Sequence, residues 1–139
     1  SDGQHNPADA LRMLQRLRRD NLDVVLGSRF KGQAIGISSN KRTFLKLATL
    51  YTRLTTGLDL TDTHNGLRVF SRKAALTIHI CQNRMAHASE ILSEIAIHKL
   101  SYAEEPCTIT YNAYTVAKGQ RMTGALAILF DLLVRRLYR

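Results

Sequence analysis

Residues 1–7, Ser-Asp-Gly-Gln-His-Asn-Pro, set a carboxylate (Asp2), an amide (Gln4) and an imidazole (His5) directly before a helix that starts on Pro7. Hard oxygen donors such as the Asp2 carboxylate and the Gln4 amide oxygen suit a hard divalent cation, Mg²⁺ or Mn²⁺. A denser cluster lies at residues 61–68, Thr-Asp-Thr-His-Asn-Gly-Leu-Arg. There a carboxylate (Asp62), an amide (Asn65), a glycine able to take positive φ (Gly66) and a guanidinium (Arg68) fall just before an apolar run. Asp62 is suited to orient a hydroxyl or a nearby basic side chain, and Arg68 to neutralise developing phosphate charge. The rival reading is an internal Asp62–Arg68 ion pair that shapes the loop.

Gly27-Ser28-Arg29-Phe30 places an arginine at the end of an apolar strand, and ligands of open α/β sheets sit at the carboxyl ends of strands. A guanidinium there can fork onto a phosphate, and Arg42, beside Lys41 at the start of the next helix, can join it. The bland alternative is a solvated loop arginine. Glu90 and Glu94 are four apart and share one helix face. Glu90 reads either as a first-turn residue favoured by the helix dipole or as a carboxylate near an acceptor. His5, His64, His79, His87 and His98 lack zinc-ligand spacing, and His5 is the one read as functional.

These groups need elements to hold them. Asn6 as N-cap, Pro7 at N1 and Leu11, Leu14 and Leu17 predict a helix over 7–19, followed by a short buried strand at 23–27. Gly32 and Gly36 mark a loop. Ser39 then caps a helix reaching Thr56, with Phe44, Leu47, Leu50, Tyr51 and Leu54 inward and Gly57 as its stop. A strand at 67–70, helices at 71–79 and 89–99 (Ser89 as cap), and a strand at 104–111 near an edge because of Pro106 follow. The sequence Lys118-Gly119-Gln120-Arg121 reads as a loop before a last helix, 122–138, which is apolar from 124 to 134 except for Asp131. Eleven residues are too few to span a bilayer, which needs about 20, so that helix is either core or an interfacial helix with arginines on anionic lipid. The pattern is α/β.

A chain of 139 residues with 45% apolar side chains supports one core. Its 20 basic against 11 acidic residues, +9 net, favour a polyanionic partner: nucleic acid, anionic membrane or a phosphorylated ligand. Cys81 and Cys107, far apart and without Cys-x-x-Cys spacing, read as reduced thiols of a cytosolic protein.

Asp-Gly-Gln-His-x-Pro at 2–7, Gly-Ser-Arg at 27–29, Arg42, Asp-x-x-Asn-Gly-x-Arg at 62–68 and Glu-Glu-Pro at 104–106 together resemble the family 2 glycosyltransferases, in order and in spacing. The likeness is to the polyprenyl-phosphate, dolichol-phosphate mannosyltransferase-like branch. It implies the C-terminal portion of a GT-A fold, with residues 1–121 in the catalytic domain and 122–139 as an apolar, basic C-terminal helix. It implies an inverting transfer of sugar from a nucleotide-diphosphate donor to a polyprenyl-phosphate or saccharide acceptor. The implied roles are Asp2 and Gln4 at an Mg²⁺ or Mn²⁺ and the donor phosphates, Arg29 and Arg42 at the acceptor phosphate, and Arg68 between acceptor and donor. His5, Asn65, Lys118 and Arg121 fall on the donor side and on a basic loop that closes over the site. A lipid-phosphate acceptor is already anionic and needs no strong base; a hydroxyl acceptor needs a carboxylate, for which Glu90 is the candidate.

The resemblance further implies that the first aspartate of the Asp-x-Asp signature and the nucleoside-binding strands precede residue 1. On that expectation the 139 residues alone are inactive, and the strand at 23–27 has an open edge that drives homo-oligomerisation. It also implies work at the cytoplasmic face of a membrane, with peripheral contact and no nucleic acid. The alternative class is a non-catalytic basic module for nucleic acid or anionic membrane. It calls for basic residues on one face with aromatics beside them, whereas the tyrosines are dispersed.

Overall fold

The computed structural model describes residues 5–81 and 86–111. Asp2, Gln4, Lys118, Arg121 and the predicted helix at 122–138 lie outside them.

The chain enters helix α1 (Pro7–Arg19) as the sequence suggests: the Asn6 side chain accepts from the Ala8 amide at 3.0 Å and Pro7 occupies the first turn, where its missing N–H costs nothing. The inward face is Met13 and Leu17, whereas Leu11 is 57% exposed. Strand β1 (Val24–Ile35) follows and runs on through the expected loop. Gly32 lies inside it for a reason that composition does not show. A Cβ at this position would stand 2.2 Å from the Cys107 carbonyl oxygen, so only glycine lets the two strands approach where their register shifts. Gly36, at φ 77°, makes the turn that ends the strand.

Helix α2 (Ser39–Thr56) is capped by Ser38, one residue earlier than predicted, and stops at Gly57 in the left-handed conformation (φ 73°). Its inward face also departs from expectation. Leu45, Ala48, Thr49 and Thr52 are buried, while Leu47, Leu50 and Leu54 face outward. The two threonines enter the interior because each hydroxyl donates to a carbonyl one turn back, Thr49 to Leu45 and Thr52 to Ala48. After an irregular turn at 58–66 come strand β2 (Arg68–Phe70), helix α3 (Arg72–Thr77) capped by Ser71, helix α4 (Ala86–Ile97) and strand β3 (Tyr102–Thr110). Helix α4 begins before the predicted start, so Ser89 is an interior residue rather than a cap and Glu90 is beyond the first turn.

The described strands form one sheet in the order β2-β1-β3, antiparallel between β1 and β2 and parallel between β1 and β3. β1 is therefore central, and the expected open edge at 23–27 is paired on both sides. Alternation along it divides the interior. Val25 packs with Met13 and Leu17 beneath α1. Val24 and Leu26 face the larger cluster of Leu58, Leu60, Ala74, Ile91, Leu92, Ile95 and Leu100.

Pro106 is on an edge strand, as its missing N–H requires. On that outer edge α1 supplies side chains where a further strand would lie. Arg16 donates to the Glu104 carbonyl at 2.9 Å, Arg12 to the Pro106 carbonyl at 3.2 Å, and Asp9 accepts from the Thr108 amide at 2.9 Å.

Candidate functional site

The turn at 58–66 is held in place from β3. Glu104 is buried, and its Oε1 accepts from the backbone amides of Thr61 (2.7 Å) and Asp62 (3.1 Å). Its Oε2 accepts from the Thr61 hydroxyl (2.8 Å) and pairs with Lys31 Nζ at 3.1 Å. A carboxylate taken out of water needs this number of partners, and the result is a turn with little freedom.

Asp62 is thereby fixed against β1. One carboxylate oxygen accepts from both the Arg29 amide (3.0 Å) and Arg29 Nε (2.6 Å); the other accepts from the His64 amide at 3.3 Å. The Asp62–Arg68 pair considered from sequence is not formed; Asp62 takes Arg29 instead. Arg29 is 5% exposed and lies within β1 rather than at its end. It also donates through Nη1 to the Tyr111 hydroxyl and through Nη2 to the His64 carbonyl. Three of the five N–H groups of a guanidinium are engaged in this way, which fixes the plane of the fork.

Arg68 donates to the carbonyls of Asn65, Thr63 and Ala88, bridging the turn to the start of α4. Burial pushes its pKa down to about 10, against the pull of Asp62, so it stays cationic at neutral pH. Asn65 closes the turn: its side-chain oxygen accepts from the Leu67 amide at 3.0 Å and its NH₂ reaches Cys107 Sγ at 2.8 Å. Burial, the largest cause, raises the Cys107 thiol. Burial also holds the His64 imidazole below its ordinary value, so at neutral pH the ring is uncharged, with Nδ1 2.9 Å from the Thr63 hydroxyl. His5 is brought to the same turn, its ring 3.9 Å from where a Gly66 Cβ would stand, and its backbone bridges to Ile109.

Between β1 and the first turns of α2 lies a cleft of about 530 Å³, lined among others by Arg29, Phe30, Gln33, Ile35, Arg42 and Lys46. Beside it Lys41 Nζ stands 4.5 Å over the Tyr111 ring, a cation–π contact. Burial, then the charge of Arg29, depresses the Lys41 pKa. Of the four cations gathered here, only Arg29 has a carboxylate partner at salt-bridge distance among the described residues. Such an array rewards a bound anion, and the apolar walls accommodate an uncharged portion of the same ligand.

The structure thus brings Asp62, Asn65 and Arg68 into one turn with Arg29 bonded to it and His5 beside it, and places Arg42 in the cleft with Arg29. It does not bring Glu90 to the cleft: its carboxylate accepts from the Cys81 amide at 3.0 Å, while Glu94 accepts from the His79 amide at 3.3 Å. No group of three or more His, Cys, Asp and Glu that could hold a metal is found among the described residues. Sequence reasoning missed Lys46, although its i+4 spacing from Arg42 puts both on one helix face. It also missed the anchoring role of Glu104: Glu-Glu-Pro at 104–106 entered only as part of the family resemblance, and nothing local in a strand says which turn its carboxylate holds.

Three curated relatives are similar to the chain. An uncharacterised protein of Methanocaldococcus jannaschii is 28% identical over 142 residues, covering 99% of this chain and 58% of the relative. The UDP-N-acetylglucosamine–dolichyl-phosphate N-acetylglucosaminyltransferase of Methanococcus voltae is 29% identical over 141 residues, covering 99% and 56%. The low-salt glycan biosynthesis hexosyltransferase Agl6 of Haloferax volcanii is 30% identical over 100 residues, covering 70% and 24%. No family model and no solved structure matches. The chain spans little more than half of the first two relatives and about a quarter of the third. Both relatives with a named activity are glycosyltransferases, and the chain is similar to one of them along almost all of its length.

Proposed function

We propose that the chain belongs to a family 2, GT-A glycosyltransferase that moves a sugar, with inversion, from a nucleotide-diphosphate donor to a polyprenyl phosphate, and that the cleft between β1 and α2 receives the acceptor phosphate. The observation that carries this reading is the composition of the cleft. Three cationic side chains, Arg29, Arg42 and Lys46, share it with Phe30, Ala34 and Ile35, and a phosphate on an apolar tail has the same two-part character.

In this mechanism Arg29 is preorganised by Asp62, Tyr111 and His64, so little side-chain freedom is lost when a phosphate arrives. Arg42 and Lys46, on the mobile-stemmed side of the cleft, complete the charge. The acceptor oxygen is already anionic and attacks the anomeric carbon from the face opposite the leaving nucleoside diphosphate. Arg68 stabilises charge that develops between the two phosphates. Metal ligation by Asp2 and Gln4, closure of a basic loop through Lys118 and Arg121, and work at the cytoplasmic membrane face belong to the same proposal.

Titration with citronellyl phosphate, a short water-soluble isoprenyl phosphate, tests the cleft directly. Amide resonances of Phe30 and Ile35 should move on binding, and Arg42→Ala or Lys46→Ala should weaken binding about 10-fold each, the loss of one charge-assisted contact. Binding that ignores both substitutions, or no binding, would remove the acceptor site from this cleft. Sugar transfer to the same acceptor by the full-length natural protein, lost in Asp2→Ala, tests the reaction itself.

A further inference from the structure

Lys41 stands beside the cleft rather than in its lining, yet one phenol ties it to Arg29. The Tyr111 hydroxyl accepts from Arg29 Nη1, and the face of the same ring carries Lys41 Nζ at 4.5 Å. Tyr111 is itself fixed at the cleft wall: its amide donates to the Ile35 carbonyl at 2.9 Å, and its own carbonyl oxygen would stand 2.7 Å from a Cβ on Gly36. Two cations are thus held on one side chain, and they differ in what balances them. Arg29 has Asp62 at 2.6 Å. Lys41 has no carboxylate partner among the described residues, and a ring face attracts a cation without cancelling its charge. Burial and the charge of Arg29 both disfavour its charged form, and a negative charge placed beside it offsets both. Arg42 and Lys46 are exposed, so water and salt screen them. Lys41, half-buried, is the cation of this group that is both withdrawn from water and unbalanced.

We infer that Lys41 sets the charge specificity of the acceptor site: it recognises the second negative charge of a phosphate monoester and so distinguishes the acceptor from its glycosylated product. The inference rests on the acceptor reading above. A phosphate monoester, with a second pKa of about 6, carries close to two charges at neutral pH. In the transfer one of its oxygens bonds to the anomeric carbon, while the bond from that carbon to the nucleoside diphosphate breaks and the electron pair leaves with that group. The lipid-linked product is then a diester with a single charge. A site that read the phosphate through screened cations alone would hold both forms with similar strength, and product would compete with acceptor. A desolvated cation feels the lost charge more strongly, because Coulomb interactions grow as the surroundings become less polar. On this reading the ammonium leaves the ring for a dianion and stays on it for a monoanion, a freedom given by its flexible four-carbon stem.

Two ligands and a small set of variants isolate the effect. Citronellyl phosphate and methyl citronellyl phosphate, the same chain with one phosphate charge blocked, are titrated by calorimetry at about pH 8, above the second pKa of the monoester. The native chain should bind the monoester about 10-fold or more tightly than the diester. Lys41→Met, of similar length and uncharged, should weaken the monoester about 10-fold and the diester by less than about 2-fold. Retained diester binding shows that this variant is folded. Lys41→Arg should restore the preference. Arg42→Ala should weaken both esters alike, and Arg18→Gln on α1, which lowers the net charge away from the cleft, should leave their ratio unchanged. Equal losses on both esters in Lys41→Met would make Lys41 a general attractor of anions, and unchanged affinities would leave it a support for Tyr111. Either result, or an equal change of the ratio in Arg18→Gln, overturns the inference while the cleft still binds the acceptor. A native chain that binds neither ester fails the acceptor reading itself, and the inference falls with it.

Discussion

The arginine at position 29 shows how burial alters the meaning of a residue. In sequence it is a basic residue near the end of an apolar run; in the fold it is a desolvated cation whose orientation is set by Asp62, Tyr111 and His64. Asp62→Ala leaves that charge buried without its counter-ion, and breaking such a pair costs about 3–5 kcal/mol. Urea unfolding should show that loss, whereas Lys46→Ala, on the exposed flank of α2, should stay within about 0.5 kcal/mol of the native chain. Equal midpoints for the two variants would show that the pair is not desolvated. His64 adds a pH dependence. Its folded pKa lies below the ordinary 6.5 because burial disfavours the charged ring. The unfolded chain therefore binds the proton more readily, and stability is complete above about 6.5 and lost as pH falls through the lowered value. The melting temperature should drop between neutral and mildly acidic pH, and His64→Gln should flatten that slope.

At the scale of elements, caps and periodicity were legible and close approaches were not. Asn6-Pro7, Ser71 and Gly57 each bring their own local reason for starting or stopping a helix, and the structure uses all three. Gly32 carries the same loop signal as Gly36, yet its cause is the Cys107 backbone seventy-five positions away in sequence, which no local pattern contains. The leucine strip of α2 was legible as a strip, but its direction was not: amphipathicity gives an angle, not the identity of what lies beneath. The interior chose the side with alanine and self-bonded threonines. The two glycines separate by substitution. Gly57→Ala meets open space and suffers only the left-handed backbone, about 1 kcal/mol. Gly32→Ala meets a carbonyl oxygen at 2.2 Å and must force β1 from β3, which places it in the overpacking class of about 1–3 kcal/mol or more. Thermal unfolding of both variants checks the ranking; a milder Gly32→Ala would mean that the strand register can slide to make room.

For the molecule as a whole, the decisive feature is which backbone edges are covered. Reading residues 23–27 as an open edge followed from expecting their neighbours among strands that precede residue 1; in the fold they are central between β2 and β3, and the question of self-association passes to β3. That strand turns the carbonyls of Glu104 and Pro106 and the amide of Thr108 outward, and Asp9, Arg12 and Arg16 of α1 satisfy all three. Charged side chains on an edge also repel a like edge, so one device both completes the hydrogen bonds and discourages strand addition. Replacing Asp9, Arg12 and Arg16 together by alanine removes the Asp9–Arg12 pair along with both carbonyl donors, leaving no buried charge unbalanced in α1 at 9 and 12. Met13 and Leu17, which seat the helix on Val25, are untouched, so α1 should still dock. The expected result is a chain that folds but associates through β3 at concentrations where the native chain shows less association, read by light scattering together with loss of amide protection contrast at Thr108. If scattering is unchanged and the Thr108 amide simply exchanges faster, the edge is open to water but shielded from other chains by something other than these three side chains.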